Sequence, residues 1–166
     1  MARPVRMKRA LLFVSTLLLA AVSCTFVPPD QTWYIGISRQ QVFDALGDAD
    51  SIFYGSTTYT PGIDNNADAY FVYKDVHLSF MIFGPSVKEI TILSGGTEWG
   101  FDNGLQVGLT RSEALTILGG GYRYVPHAEK DFYEYSGYGI ILEVVNATDL
   151  LSEINITSNA LHWDLQ

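Results

Sequence analysis

Tyr34-Ile35-Gly36-Ile37-Ser38-Arg39-Gln40-Gln41-Val42-Phe43-Asp44-Ala45-Leu46-Gly47 and Gln106-Val107-Gly108-Leu109-Thr110-Arg111-Ser112-Glu113-Ala114-Leu115-Thr116-Ile117-Leu118-Gly119 repeat each other 72 positions apart. Each stretch places an apolar pair around a glycine, then a hydroxyl residue, a short amphipathic run and Leu-Gly. Ser38 with Gln41, and Thr110 with Glu113, have the spacing of a capping box, so a helix is expected to start at each hydroxyl. Val42, Ala45 and Leu46 share one face of the first helix, and Ala114, Ile117 and Leu118 share one face of the second. Gly47 and Gly119 supply the stops. Helices this short need tertiary packing to exist.

The partners of the helices are expected to be strands. Val76, Leu78, Phe80 and Ile82 alternate with His77, Ser79, Met81 and Phe83, which puts the first set on one sheet face and Met81 and Phe83 on the other. Tyr138, Ile140, Leu142 and Val144 alternate with Gly139, Ile141, Glu143 and Val145 in the same register. Tyr70-Phe71-Val72-Tyr73 precedes the first set as Phe132-Tyr133-Glu134-Tyr135 precedes the second. Glu89-Ile90-Thr91-Ile92 and Glu153-Ile154-Asn155-Ile156 close the two halves. The segment Ser94 to Gly104, rich in turn formers, reads as a connection. The expected architecture is α+β: two tandem repeats, residues 34–93 and 106–166, each a short helical segment packed on its own antiparallel meander sheet, joined by a linker at 94–105.

A Gly-[Ile/Leu]-[Ser/Thr]-Arg start, a short helix ending in Leu-Gly and an aromatic strand pair resemble the repeat of the β-lactamase inhibitory protein fold. They equally resemble the single-copy unit of the SmpA/OmlA outer-membrane lipoproteins, small accessory members of the β-barrel assembly machinery. The resemblance spans nearly all of residues 33–158 and rests on few fixed positions. The inhibitors carry disulfides, which this chain, with one cysteine, cannot form internally.

The cellular address is read from the N-terminus. Arg3, Arg6, Lys8 and Arg9 precede the apolar run Ala10 to Val22, and residues 1–23 have the layout of an export signal. The run is shorter than the roughly 20 apolar residues of a spanning helix. Ala21-Val22-Ser23-Cys24 resembles the lipobox of bacterial lipoproteins, so Cys24 is expected to be acylated, with palmitate among the acyl chains, and left as the new N-terminus. Residues 24–33 then form a short Pro-containing spacer that holds the body near the membrane. Removal of the signal takes four basic residues with it and moves the formal net charge from −8 to −12. Nucleic acid is excluded as a partner, because counterion release needs clustered cations and Arg39, Lys74, Lys88, Arg111, Arg123 and Lys130 are scattered among carboxylates. An anionic lipid surface repels such a body, which leaves the lipid at Cys24 as the membrane anchor.

Enzyme chemistry finds little support. His77, His127 and His162 have no nucleophile elbow of the Gly-x-Ser-x-Gly kind to serve. They also lack paired spacing for a metal, and no second cysteine assists them. Asp64-Asn65-Asn66-Ala67-Asp68, with Asp75, partly matches a calcium loop, but Ala69 holds the glycine position and Asp75 the place of the final Glu. An Asx-rich hairpin tip after Pro61-Gly62 explains the same residues. Gly119-Gly120-Gly121 lacks the Lys-Ser/Thr of a phosphate loop and reads as a helix stop. No cofactor or metal is expected.

The mature chain keeps 10 Tyr, 8 Phe and 3 Trp, more than the helix-covered sheet faces can absorb. The surplus points to an open aromatic face that binds another protein. Met81, Phe83, Tyr73 and Tyr135 are the candidates on that face, with Asp64 and Asp68 on a neighbouring acidic loop. The expected function is that of a non-enzymatic, lipid-anchored cell-envelope protein, at the outer membrane, that binds another envelope protein in assembly or scaffolding. The alternative is an inhibitor-like module that inserts the Asp64–Asp68 loop into a hydrolase such as a β-lactamase.

Overall fold

The computed structural model describes residues 33–157. The signal segment, Cys24, most of the spacer, and the C-terminal residues including His162 lie outside the described residues. In chain order the elements are α1 (Arg39–Leu46), β1 (Ser51–Tyr54), β2 (Thr57–Tyr59), β3 (Ala69–Tyr73), β4 (Leu78–Phe83), β5 (Ser86–Ile92), α2 (Arg111–Leu118), β6 (Arg123–Pro126), β7 (Lys130–Tyr135), β8 (Ile140–Val145) and β9 (Leu150–Thr157).

Both helices begin where the sequence places them. The side chain of Ser38 accepts from the Gln41 amide and that of Thr110 from the Glu113 amide, and each box is closed by the reciprocal bond. Gly47 (φ 73°) and Gly119 (φ 74°) end the helices in a left-handed conformation that a side chain would strain.

The expectation of two helix-on-sheet repeats is overturned by the strand pairing. All nine strands form one antiparallel sheet in the order β2-β1-β3-β4-β5-β9-β8-β7-β6. β5 and β9, the last strands of the two halves, pair with each other: Glu89 opposite Thr157, Ile90 opposite Ile156, Thr91 opposite Asn155 and Ile92 opposite Ile154. Two separate sheets would leave both strands as free edges, each a template for unwanted pairing. Fusing them removes both edges. Alternation along a strand reports which face is buried but not which strand lies beside it, which is why the repeat pattern suggested two sheets.

The two halves are related by a pseudo-two-fold axis through the Thr91–Asn155 pair. Irregular pairing recurs at Met81/Ile82 in β4–β5 and at Glu143/Val144 in β8–β9, which are equivalent positions. One face of the sheet carries the core: Ile52, Phe71, Phe80, Ile90, Ile156, Ile140 and Tyr135 lie in one cross-strand row and are all buried. Both helices pack on this face, Phe43 meeting Phe71 edge to face at 5.4 Å.

The connection at 94–105 is more than a tether. Trp99, Phe101 and Leu105 are buried in the core, and Trp99 Nε1 donates to the Val76 carbonyl at 2.6 Å. Trp33, assigned to the spacer, is also fully buried, with its ring 5.0 Å from Phe80. Val76 is buried but ends a short 3-10 turn rather than opening a strand, and His77 follows it with φ 51°.

Candidate protein-interaction surface

Alternation dictates a second sheet face, and neither α1 nor α2 packs against it. Three cross-strand rows define it. The first runs Phe53–Tyr70–Met81–Glu89–Thr157. The second, through the pseudo-axis, is Ser51–Val72–Ser79–Thr91–Asn155–Ile141–Glu134–Arg123. The third is Glu153–Glu143–Phe132–Val125. Tyr70 and Phe132 occupy equivalent positions of the two halves, as do Glu89 and Glu153.

The aromatic part is concentrated toward β1 and β3. Phe53, 39% exposed, stacks on Tyr70 with centroids 5.5 Å apart and planes 17° from parallel. Met81 is half-buried beside Tyr70 and across from Glu89. Phe83 follows at the end of β4 and is 48% exposed. Both residues therefore stand on the face the alternation assigned to them.

Polar groups at the centre are spoken for. Thr91 Oγ1 donates to Asn155 Oδ1 at 2.6 Å. Glu143, only 7% exposed, is paired with Lys130 and accepts from Ser152 Oγ at 3.0 Å. The hydrogen bond that Lys130 Nζ donates to Glu143 holds the ammonium above its ordinary range, against the opposing effect of burial. Arg123 pairs with Glu134. Glu89 differs: among the described residues no cation lies within ion-pair distance of it, and burial raises its carboxyl above the usual glutamate range. Burial also raises Glu153, with the charge of Glu143 adding to the shift and Lys130 opposing it.

The remaining sequence candidates lie elsewhere. Tyr73 and Tyr135 are corrected from the surface to the core: they are 4% and 2% exposed, and their hydroxyls donate to the carbonyls of Gly47 and Gly119 at 3.2 and 3.0 Å. Their alternation partners Phe71 and Tyr133 face the helices, so they must face them too. Burial lifts the Tyr135 phenol to about 12 and pushes Tyr73 higher still. Asp64 braces its own loop, and Asp68 ties that loop to the β4–β5 turn and to α1. Asp64 Oδ2 accepts from the Thr60 amide at 2.8 Å, and Asp68 Oδ1 accepts from the Gly84 amide at 2.7 Å and pairs with Arg39.

The histidines are dispersed. His77 Nδ1 lies 2.9 Å from Glu98 in a turn, and His127 meets Phe132 edge to face at 5.1 Å above a 390 Å³ depression that Ala128, Glu129 and Lys130 complete. Among the described residues no group of three or more His, Cys, Asp or Glu side chains is arranged to hold a metal ion, and no helix is long and apolar enough to cross a membrane.

Tyr70, Phe132, Glu89 and Glu153 are the members of the face that sequence reasoning passed over. The signal was present in the paired stretches Glu89-Ile90-Thr91-Ile92 and Glu153-Ile154-Asn155-Ile156, whose polar residues fall at the same alternate positions. Comparison with family models, with curated proteins and with solved structures finds no match to this chain.

Proposed function

We propose that this chain is a non-enzymatic, lipid-anchored protein of the bacterial cell envelope, held at the outer membrane through Cys24, whose helix-free sheet face binds another envelope protein in an assembly or scaffolding role. One observation carries the reading: a sheet face spanning both halves, with stacked and exposed aromatics at one side, that no helix among the described residues covers. Aromatic side chains of this kind supply large, rigid contact area and dominate interface energetics. The lipobox-like Ala21-Val22-Ser23-Cys24 supports the address. Cys24 lies nine positions before Trp33, the first described core residue, and that stretch spans at most roughly 30 Å when extended. The anchor then keeps the face near the bilayer, where a membrane-bound partner meets it. The inhibitor-like alternative is weakened because the Asp64 carboxylate is already used within its own loop and that of Asp68 by Gly84 and Arg39.

Two measurements test the proposal. Cys24→Ser should abolish labelling by an acyl-lipid precursor and release the protein from membranes; an unlabelled wild type that fractionates identically contradicts the anchor. A photo-crosslinking amino acid in place of Met81 should capture a discrete envelope protein, whereas the same probe at the exposed helix position Gln40 should not. Equal capture from both positions, or from neither, contradicts the face.

A further inference from the structure

The partner's chemistry follows from what the open face leaves unpaired, an inference that rests on the interface reading above. Glu89 and Glu153 occupy the same position in the two halves, one on each side of the Thr91–Asn155 pair. Both are half-buried. Arg123 is taken by Glu134 and Lys130 by Glu143; the Lys130 charge also reaches Glu153 without forming an ion pair with it, whereas Glu89 has no cation within ion-pair distance among the described residues. A half-buried carboxylate without a cation costs folding free energy that a partner's cation recovers on binding. Between the two carboxylates lies the Thr91–Asn155 pair, with Met81 and Tyr70 in the row of Glu89 and Ile141 beside Asn155. Glu89 lies opposite Thr157, and Glu153 is four residues further along the same strand, so the two are separated by roughly 14 Å given a rise of about 3.3 Å per residue and a strand spacing of about 4.8 Å.

We infer that the face receives a cationic protein segment, one that sets two Lys or Arg side chains roughly 14 Å apart, one at Glu89 and one at Glu153, across the Thr91–Asn155 pair. An extended strand meets that spacing with cations at i and i+4. A second copy of this chain does not fit, because the same carboxylates would face each other and the whole chain carries a formal net charge of −8. A phosphate-bearing surface is refused for the same reason.

The experiment uses the full-length protein in cells. The crosslinker at position 81 is combined with Glu89→Gln and Glu153→Gln, and the captured peptide is sequenced. The captured segment should contain Lys or Arg at the stated spacing, and the double Gln variant should lower the adduct yield at least five-fold while its melting temperature stays equal or rises. As a second arm, Glu89→Lys with Glu153→Lys should lose the adduct and regain it when the partner's two cations are changed to Glu. A captured segment without paired cations, or an adduct yield unchanged by the Gln variants, overturns the cationic recognition while leaving the interface in place. Failure to capture any protein from position 81 overturns the interface reading itself.

Discussion

The two halves of the sheet solve the same problem with the same backbone and different side chains. In the first, Gly36 N donates to Val87 O, Val87 N to Ile37 O and Arg39 N to Pro85 O, which ties the segment before α1 to β5. In the second, Gly108 N donates to Leu151 O, Leu151 N to Leu109 O and Arg111 N to Asp149 O, tying the segment before α2 to β9 in the same way. Each arginine at the helix start reaches over an aromatic ring of the core face, Arg39 over Phe71 at 5.7 Å and Arg111 over Tyr133 at 5.8 Å. What holds them differs. Arg39 donates to the carbonyls of Asn65, Ala67 and Gly84 and pairs with Asp68. Arg111 is held by the carboxylates of Asp131 and Asp149 and by the Tyr133 hydroxyl. The position of buried Asp131 is Ala69 in the first half. Backbone and core face are thus alike, while the charge networks and the open face, where Met81 answers to Glu143 and Val72 to Glu134, have separated.

The largest effects should come from core positions that are equivalent in the two halves, Phe80 in β4 and Leu142 in β8. Phe80→Ala is expected to cost about 3 to 5 kcal/mol and Leu142→Ala about 2 to 5 kcal/mol. Both should appear in a single unfolding transition in denaturant, because one sheet carries both residues. Two separate transitions would break the comparison by making the halves independent.

Next comes the arginine pair. Arg111→Ala should lower the melting temperature more than Arg39→Ala, since it strands the nearly buried Asp131 carboxylate, whereas Arg39 leaves mostly carbonyl oxygens behind. Asp131 also sharpens the comparison through pH. Burial opposes its ionisation, but hydrogen bonds from Tyr124, Arg111 and Asn146 and the charge of Arg111 outweigh it and hold the carboxyl below the ordinary range. A depressed folded-state value contributes stability above the unfolded value of about 3.9, and that stability is lost as pH falls through the folded value. Acid unfolding below about pH 4 should therefore be blunted in Asp131→Asn.

Glu89 and Glu153 run the other way. Their raised values mean that ionisation costs stability above the ordinary glutamate range, so each Gln variant should melt higher than wild type at pH 7 and no higher at pH 4. A smaller effect is expected from the helix-end hydroxyls: Tyr73→Phe and Tyr135→Phe should each cost about 0.5 to 1.5 kcal/mol, and by similar amounts. Phe83→Ala should change stability by less than about 0.5 kcal/mol, as an exposed site does.

Much of this was legible in the residues, and the part that was not has a physical reason. Capping chemistry is local, so Ser38–Gln41 and Thr110–Glu113 announce both helix starts. Period-two alternation is also local, and it sorted Leu78, Phe80 and Ile82 from Met81. Lateral order is not local: nothing in Glu89–Ile92 or Glu153–Ile156 states that these strands are neighbours. Tyr73 and Tyr135 were misplaced because a tyrosine's ring and hydroxyl pull toward different surroundings, and only the structure shows the Gly47 and Gly119 carbonyls waiting in the core. His77 sits in an alternating run yet takes a left-handed turn, since the chain must reverse between β3 and β4.

That the halves share one sheet is what makes the open face a single surface, and the seam between β5 and β9 tests it most directly. Native-state hydrogen exchange of the hydrogen-bonded amides among Ile90–Ile92 and Ile154–Ile156 should proceed only through global unfolding, with the same opening free energy as the flanking strands β4 and β8. Seam amides that open at a distinctly lower free energy than β4 and β8, with the latter still protected, would show two sheets that merely touch and would contradict the account.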